Sequence, residues 1–173
     1  MGNKQYKDKT RQKIKARKKQ PPQTIPDTDL TESDRIVEAV SKRIERRISE
    51  RTGVEHKTLR SPLTESMSEA LLEYAEPLMD VIDTGNRKEF EKVVKVSIMV
   101  WNYAVVLEKE GDGKKAKKML ELIMLSADYK VLVDFMLERK RKLFPNNNRY
   151  IMDYEVTVMK DGDFHLTVSS SLE

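Results

Sequence analysis

The chain has 173 residues, 38% hydrophobic and 36% charged, with 33 Lys and Arg against 29 Asp and Glu and a formal net charge of +4. That length suits one domain, and the charge exceeds the typical quarter of a globular sequence. The absence of cysteine excludes disulfide frameworks, thiol nucleophiles, cysteine zinc sites and iron–sulfur clusters, and no window reaches the ~20 apolar residues of a membrane helix; the expectation is a soluble, cytoplasmic chain with no membrane partner.

The net charge conceals an asymmetry. Residues 1–20 hold nine bases, Lys4, Lys7, Lys9, Arg11, Lys13, Lys15, Arg17, Lys18 and Lys19, against the single acid Asp8, a net of +8. Residues 21–173 hold 24 bases and 28 acids, a net of -4. Residues 1–29 contain too few apolar side chains to offset the entropy of ordering, and Pro21, Pro22 and Pro26 stiffen their end. This reads as a disordered basic arm before a single domain over 30–173.

Thr31 with Asp34 forms a capping pattern, after which Ile36, Val40, Ile44 and Ile48 recur every four residues to about Glu50. The stripe is narrow, with Arg43, Arg46, Arg47 and Arg51 beside it. Ser61 followed by Pro62 starts a second helix, carried by Leu63, Met67, Leu71, Tyr74, Leu78 and Ile82 and stopped by Gly85. Pro77 inside that pattern removes a backbone bond at a cost of ~3 kcal/mol, which predicts a kink or restart near Glu76.

Asn86 with Glu89 caps a third helix. Within 93–107 only Lys95, Ser97 and Asn102 interrupt the apolar run, too long for a strand, so this is the expected central buried helix, ended by Gly111, Asp112 and Gly113. Ala116, Leu120, Ile123, Ala127 and Val131 continue helical spacing, extended by Phe135, Met136 and Leu143 towards Pro145, as one long helix or two broken near Ser126. After Asn146, Asn147 and Asn148 the period changes to two. Tyr150, Met152, Tyr154, Val156 and Val158 are answered by Phe164, Leu166 and Val168. A two-residue loop at Asp161 and Gly162 would oppose apolar with polar side chains. A three-residue loop over 161–163 instead pairs Val158 with Leu166 and Val156 with Val168. The fold class expected is mainly α: a bundle of four or five helices from 30 to about 144, closed by an antiparallel β-hairpin over about 149–170 that docks on the helices or on another chain.

Little catalytic chemistry is visible. His56 in a loop and His165 on a strand belong to no nucleophile or metal motif. Gly111, Asp112 and Gly113 lack the preceding strand of a phosphate loop and place an acid at the anion position. Glu108 with Glu110, and Asp161 with Asp163, lie in polar termini and turns without an apolar wall. The methionines are spread over several helices as pliable core filler. Neither cofactor nor metal is expected. Trp101 and Asn102 are the most site-like interior pair, since a buried amide needs partners; the plainer reading is core and an interhelical tie.

Two basic clusters remain. Arg139, Lys140, Arg141 and Lys142 close the last helix, where cations complement the helix dipole, beside asparagines and Tyr150 that offer donors and a stacking ring. The amino-terminal run is the stronger, with the charge density of a phosphate-binding arm and only Tyr6 to stack; a solubilising tail, or an import signal over 15–19 in a nucleated cell, are its plainer readings. The expected function is non-catalytic: the arm tethers the domain to RNA or a ribonucleoprotein without reading sequence. The rival is a protein-interaction or self-associating module in which the stripe of Ile36, Val40, Ile44 and Ile48 meets a partner helix, or the hairpin edge adds to another sheet.

Overall fold

The computed structural model describes residues 32–57, 66–123 and 128–171. The amino-terminal basic run, the Thr31 cap, the Ser61–Pro62 helix start and the segment around Ser126 lie outside the described residues. The chain divides into two compact units, 1–65 and 66–173.

In the first unit, α1 (Glu32–Thr52) buries Val40, Ile44 and Ile48, three of the four residues of the predicted stripe. Gly53 closes the helix with φ +71° and donates its N–H to Ser49 O at 2.8 Å, the left-handed stop that glycine adopts without a Cβ penalty. The exposed pairs Lys42–Glu38 and Arg46–Glu50 sit one turn apart, where solvent screening leaves such contacts weak.

The second unit holds α2 (Met67–Met79), α3 (Arg87–Glu110), α4 (Lys114–Ile123) and α5 (Asp128–Leu143), followed by β1 (Ile151–Val158) and β2 (Phe164–Ser170). The protein is thus mainly helical, with an antiparallel hairpin at its carboxyl end. The helix α3 is central and touches α2, α4, α5 and β1; its turns from Val100 to Val106 are buried on every side. Asn86 caps it, its side chain accepting from Lys88 N at 3.0 Å. Glu89 does not complete a capping box; its carboxylate accepts from Asp83 N at 3.0 Å, while Asn86 N donates to Asp83 O. Gly111 ends α3 with φ +65°. Around Trp101 the core is aromatic: Tyr74 meets it edge-on at 5.2 Å and Phe144 at 5.3 Å, arrangements that add ~1 kcal/mol beyond their area.

Two local predictions are corrected. The helix α2 continues through Pro77 and ends at Met79, without restarting near Glu76 or reaching Ile82. Proline has no N–H for the carbonyl four residues back, and the group left without its helical donor, Glu73 O, accepts from Arg139 Nη2 at 2.7 Å, with Tyr74 O accepting from Arg139 Nε at 3.1 Å. A side chain from α5 replaces the missing backbone donor.

In the hairpin, Val158 stands opposite Phe164, Val156 opposite Leu166 and Tyr154 opposite Val168. Apolar faces apolar, as expected, but the register is two residues from the predicted one. The reason is Gly162. Its φ of +82° makes it the last residue of a three-residue loop, the place where such loops need a left-handed residue. Gly162 N donates to Met159 O at 2.9 Å and Met159 N to Asp163 O at 2.8 Å, so the loop is 160–162, closed by the Met159–Asp163 bond just beyond the ladder. The apolar face docks on the helices: Phe164 stacks tilted on Phe90 at 5.2 Å, and Val168 N donates to Ser68 Oγ on α2 at 3.1 Å.

Candidate nucleic-acid interface

Four consecutive bases on a helix point in four directions, 100° apart, so a packed helix must turn some of them inward. Arg139 is committed to the Glu73 and Tyr74 carbonyls and lies 3.4 Å from Glu76 Oε2. Lys140 is fully buried, 0% exposed. Its ammonium donates to Glu108 Oε2 at 2.8 Å and Asn148 Oδ1 at 3.2 Å and lies 5.7 Å from the centre of the Trp101 ring. A charge in such a place is held only by partners that compensate its lost hydration. Lys140 is therefore out of reach of an external phosphate, and Arg139 has its donors engaged. Arg141 and Lys142 are exposed. Lys142 pairs with Glu138 at 2.6 Å, and its hydrogen bond holds the Glu138 carboxyl below the usual carboxylate range.

The asparagine segment is likewise turned to the fold. Asn148 receives Lys140, and Asn147 Oδ1 accepts from Arg149 Nε at 3.1 Å. The Tyr150 ring, offered as a stacking surface, has Lys115 Nζ at 5.9 Å.

Trp101 and Asn102 form a tie between helix and strand. Trp101 Nε1 donates to Arg149 O at 3.0 Å; Asn102 Nδ2 donates to Ile151 O at 2.9 Å while its Oδ1 accepts from Ile151 N at 2.8 Å. The amide makes the two bonds a neighbouring strand would have made, and both members of the pair have their polar atoms engaged by backbone. His56 Nε2 is 3.1 Å from Thr52 Oγ1, and His165 stands opposite Thr157 in the hairpin. Among the described residues, no three His, Asp or Glu side chains converge as metal ligands, and no helix is long and apolar enough to cross a membrane.

The surfaces named for a protein partner are partly occupied. Val40, Ile44 and Ile48 of the α1 stripe are buried. The hairpin edges receive Asn102 at Ile151, Ser68 at Val168 and Arg87 Nη2 at Val156 O, 3.4 Å.

One basic surface was overlooked in the sequence. In α4, Lys114, Lys117 and Lys118 are exposed while Ala116 is buried. Its signal in the sequence is five bases within residues 109–118 against Glu110 and Asp112, overlaid by the helical apolar period of Ala116, Leu120 and Ile123. Comparison with known protein families, with curated proteins and with solved structures finds no match to this chain.

Proposed function

We propose that this is a non-catalytic domain tethered by its amino-terminal basic run to RNA or a ribonucleoprotein surface, without sequence reading. The observation that carries the reading is the charge partition, +8 over residues 1–20 against -4 over the remainder. Each phosphate neutralised releases counterions, and with six to nine bases engaged the log–log salt slope on single strands is about -4 to -6, at roughly -0.7 per contact. Tyr6 is the only ring in the run, so base stacking, the usual source of single-strand preference, is almost absent. On the folded surface Arg141 and Lys142 retain a place in the candidate set; Arg139 and Lys140 act as internal ties.

The test is binding to mixed RNA oligomers at several salt concentrations, comparing the full chain, a deletion of residues 1–20, and Ala at Arg141 and Lys142. The deletion is expected to lose most of the affinity and most of the slope. If it binds equally well with the same slope, the run is a solubilising tail. A partner protein retained by the deletion variant would favour the interaction-module reading instead.

A further inference from the structure

We propose that the outward face of α4, Lys114, Lys117 and Lys118, is a second contact for an RNA phosphate backbone, made by the folded unit separately from the amino-terminal run. The inference rests on the reading of RNA as partner and extends it to a fixed surface.

The face is defined by phase. Ala116 is buried and Met119 and Leu120 pack partly against the core, so the positions one turn apart on the opposite side, 114, 117 and 118, point to solvent. None of these three lysines makes an ion pair among the described residues, nor does Arg141. Lys115, by contrast, is engaged by Glu110 at 3.2 Å and by the Tyr150 ring.

Nothing in the fold calls for these charges. The first turn of α4 has no acid, and cations at the positive end of a helix dipole oppose the helix. Lys114 in the first turn is a local cost, the pattern expected where a surface serves a ligand; the exposed Glu121 stands one turn beyond Lys117 and Lys118 on the same face. The three lysines lie within ~6 Å along the helix axis at 1.5 Å per residue, less than the ~8 Å screening length at physiological salt, so their fields add. A predominantly basic row, with Glu121 at its far end, suits a string of phosphates better than a single small anion. The other exposed lysine row, Lys88, Lys92 and Lys95 on α3, has Glu89 and Glu91 set among it; it serves as the control.

The experiment uses the full chain and a mixed-sequence RNA oligomer across a salt series. Four proteins are compared: the native chain; Lys114→Gln, Lys117→Gln and Lys118→Gln together; Lys88→Gln, Lys92→Gln and Lys95→Gln together; and a chain with all nine bases of residues 4–19 changed to Gln. The α4 variant is expected to lower the steepness of the log–log salt slope by about 2, three contacts at roughly 0.7 each, with the α3 control unchanged and the arm variant retaining salt-dependent binding. Thermal unfolding checks the fold, and the α4 variant should melt no lower than the native chain. An unchanged slope for the α4 variant, or an equal loss in the control, overturns the inference and leaves the arm reading standing. Native-like binding by the arm variant overturns the arm reading and supports this one. Failure of the native chain to bind RNA at low salt overturns both.

Discussion

The buried Lys140 sets a test of how a single charge is held. Its partner Glu108 is 27% exposed while Lys140 is wholly buried, so the two halves of the pair are not equivalent. Changing Lys140 to Met fills the space with an apolar chain and leaves Glu108 to be hydrated, which should change stability by less than ~1 kcal/mol. Changing Glu108 to Ala strands the ammonium with Asn148 and the Trp101 ring, at a cost of about 3 kcal/mol. Urea unfolding of both variants decides; equal losses would mean that Lys140 reaches water. Tyr74 makes the converse case. Its hydroxyl is buried without a hydrogen-bond partner among the described residues, and burial pushes its pKa well above the ordinary tyrosine range, against a smaller opposing pull from Arg139. A raised folded-state pKa means stability that is intact below about pH 10, the unfolded value, and lost as pH rises beyond it. Tyr103 and Tyr154 shift in the same direction, burial again being the main cause. Tyr74→Phe should therefore stabilise the protein at neutral pH by ~1 kcal/mol, by removing an unpartnered buried polar group, and flatten the loss above pH ~10. A less stable Tyr74→Phe protein at neutral pH would show that the hydroxyl is satisfied.

Among elements, the end of α2 depends on a residue far along the chain. Pro77 denies Glu73 O its helical donor and Arg139 supplies one, so the two positions should be coupled. Arg139→Met is expected to cost ~2 kcal/mol, as befits charge-assisted hydrogen bonds to part-buried carbonyls, and appreciably less when Pro77→Ala restores the backbone N–H. A double-mutant cycle with no coupling would assign the helix end to some other cause. This dependence also explains what the sequence could and could not reveal. The Asn86 cap, the Gly111 stop, the apolar body of α3 and the change to period two after Asn148 are local, and each was legible. The course of α2 past Pro77 was not, because its remedy lies at Arg139 on α5. Asn102 announced by its apolar surroundings that it needed partners, but not that they would be both backbone groups of Ile151. The four bases at 139–142 carried no sign of which would turn inward; that choice is made by Glu108, Asn148 and the Glu73 carbonyl. The hairpin faces followed from alternation, whereas the register followed from Gly162, whose left-handed backbone fixes the loop end more firmly than the side-chain pattern does.

Over the whole molecule, the charge is divided so that attraction and repulsion of a polyanion come from different parts. The native chain carries +4 in total, and without residues 1–20 it carries -4, since those residues contribute +8. Long-range steering follows net charge, while close contact follows the local face. At low salt the native chain should therefore associate with RNA quickly, and its association rate should fall as salt screens the attraction. On the proposed reading, the deletion variant should meet RNA with a net repulsion at long range and, through the α4 face, an attraction only once close. Raising salt at first relieves that repulsion, so its association rate should stay level or rise with salt over the range in which the native rate falls. The dissociation rate, which reports the contacts already made, should increase with salt in both proteins. Stopped-flow association at matched RNA concentrations, over a salt series extending well below physiological ionic strength, measures both rates. An association rate for the deletion variant that declines with salt as steeply as the native one would mean that residues 1–20 do not steer the encounter, and that a local basic surface outweighs the acidic remainder of the chain even at long range.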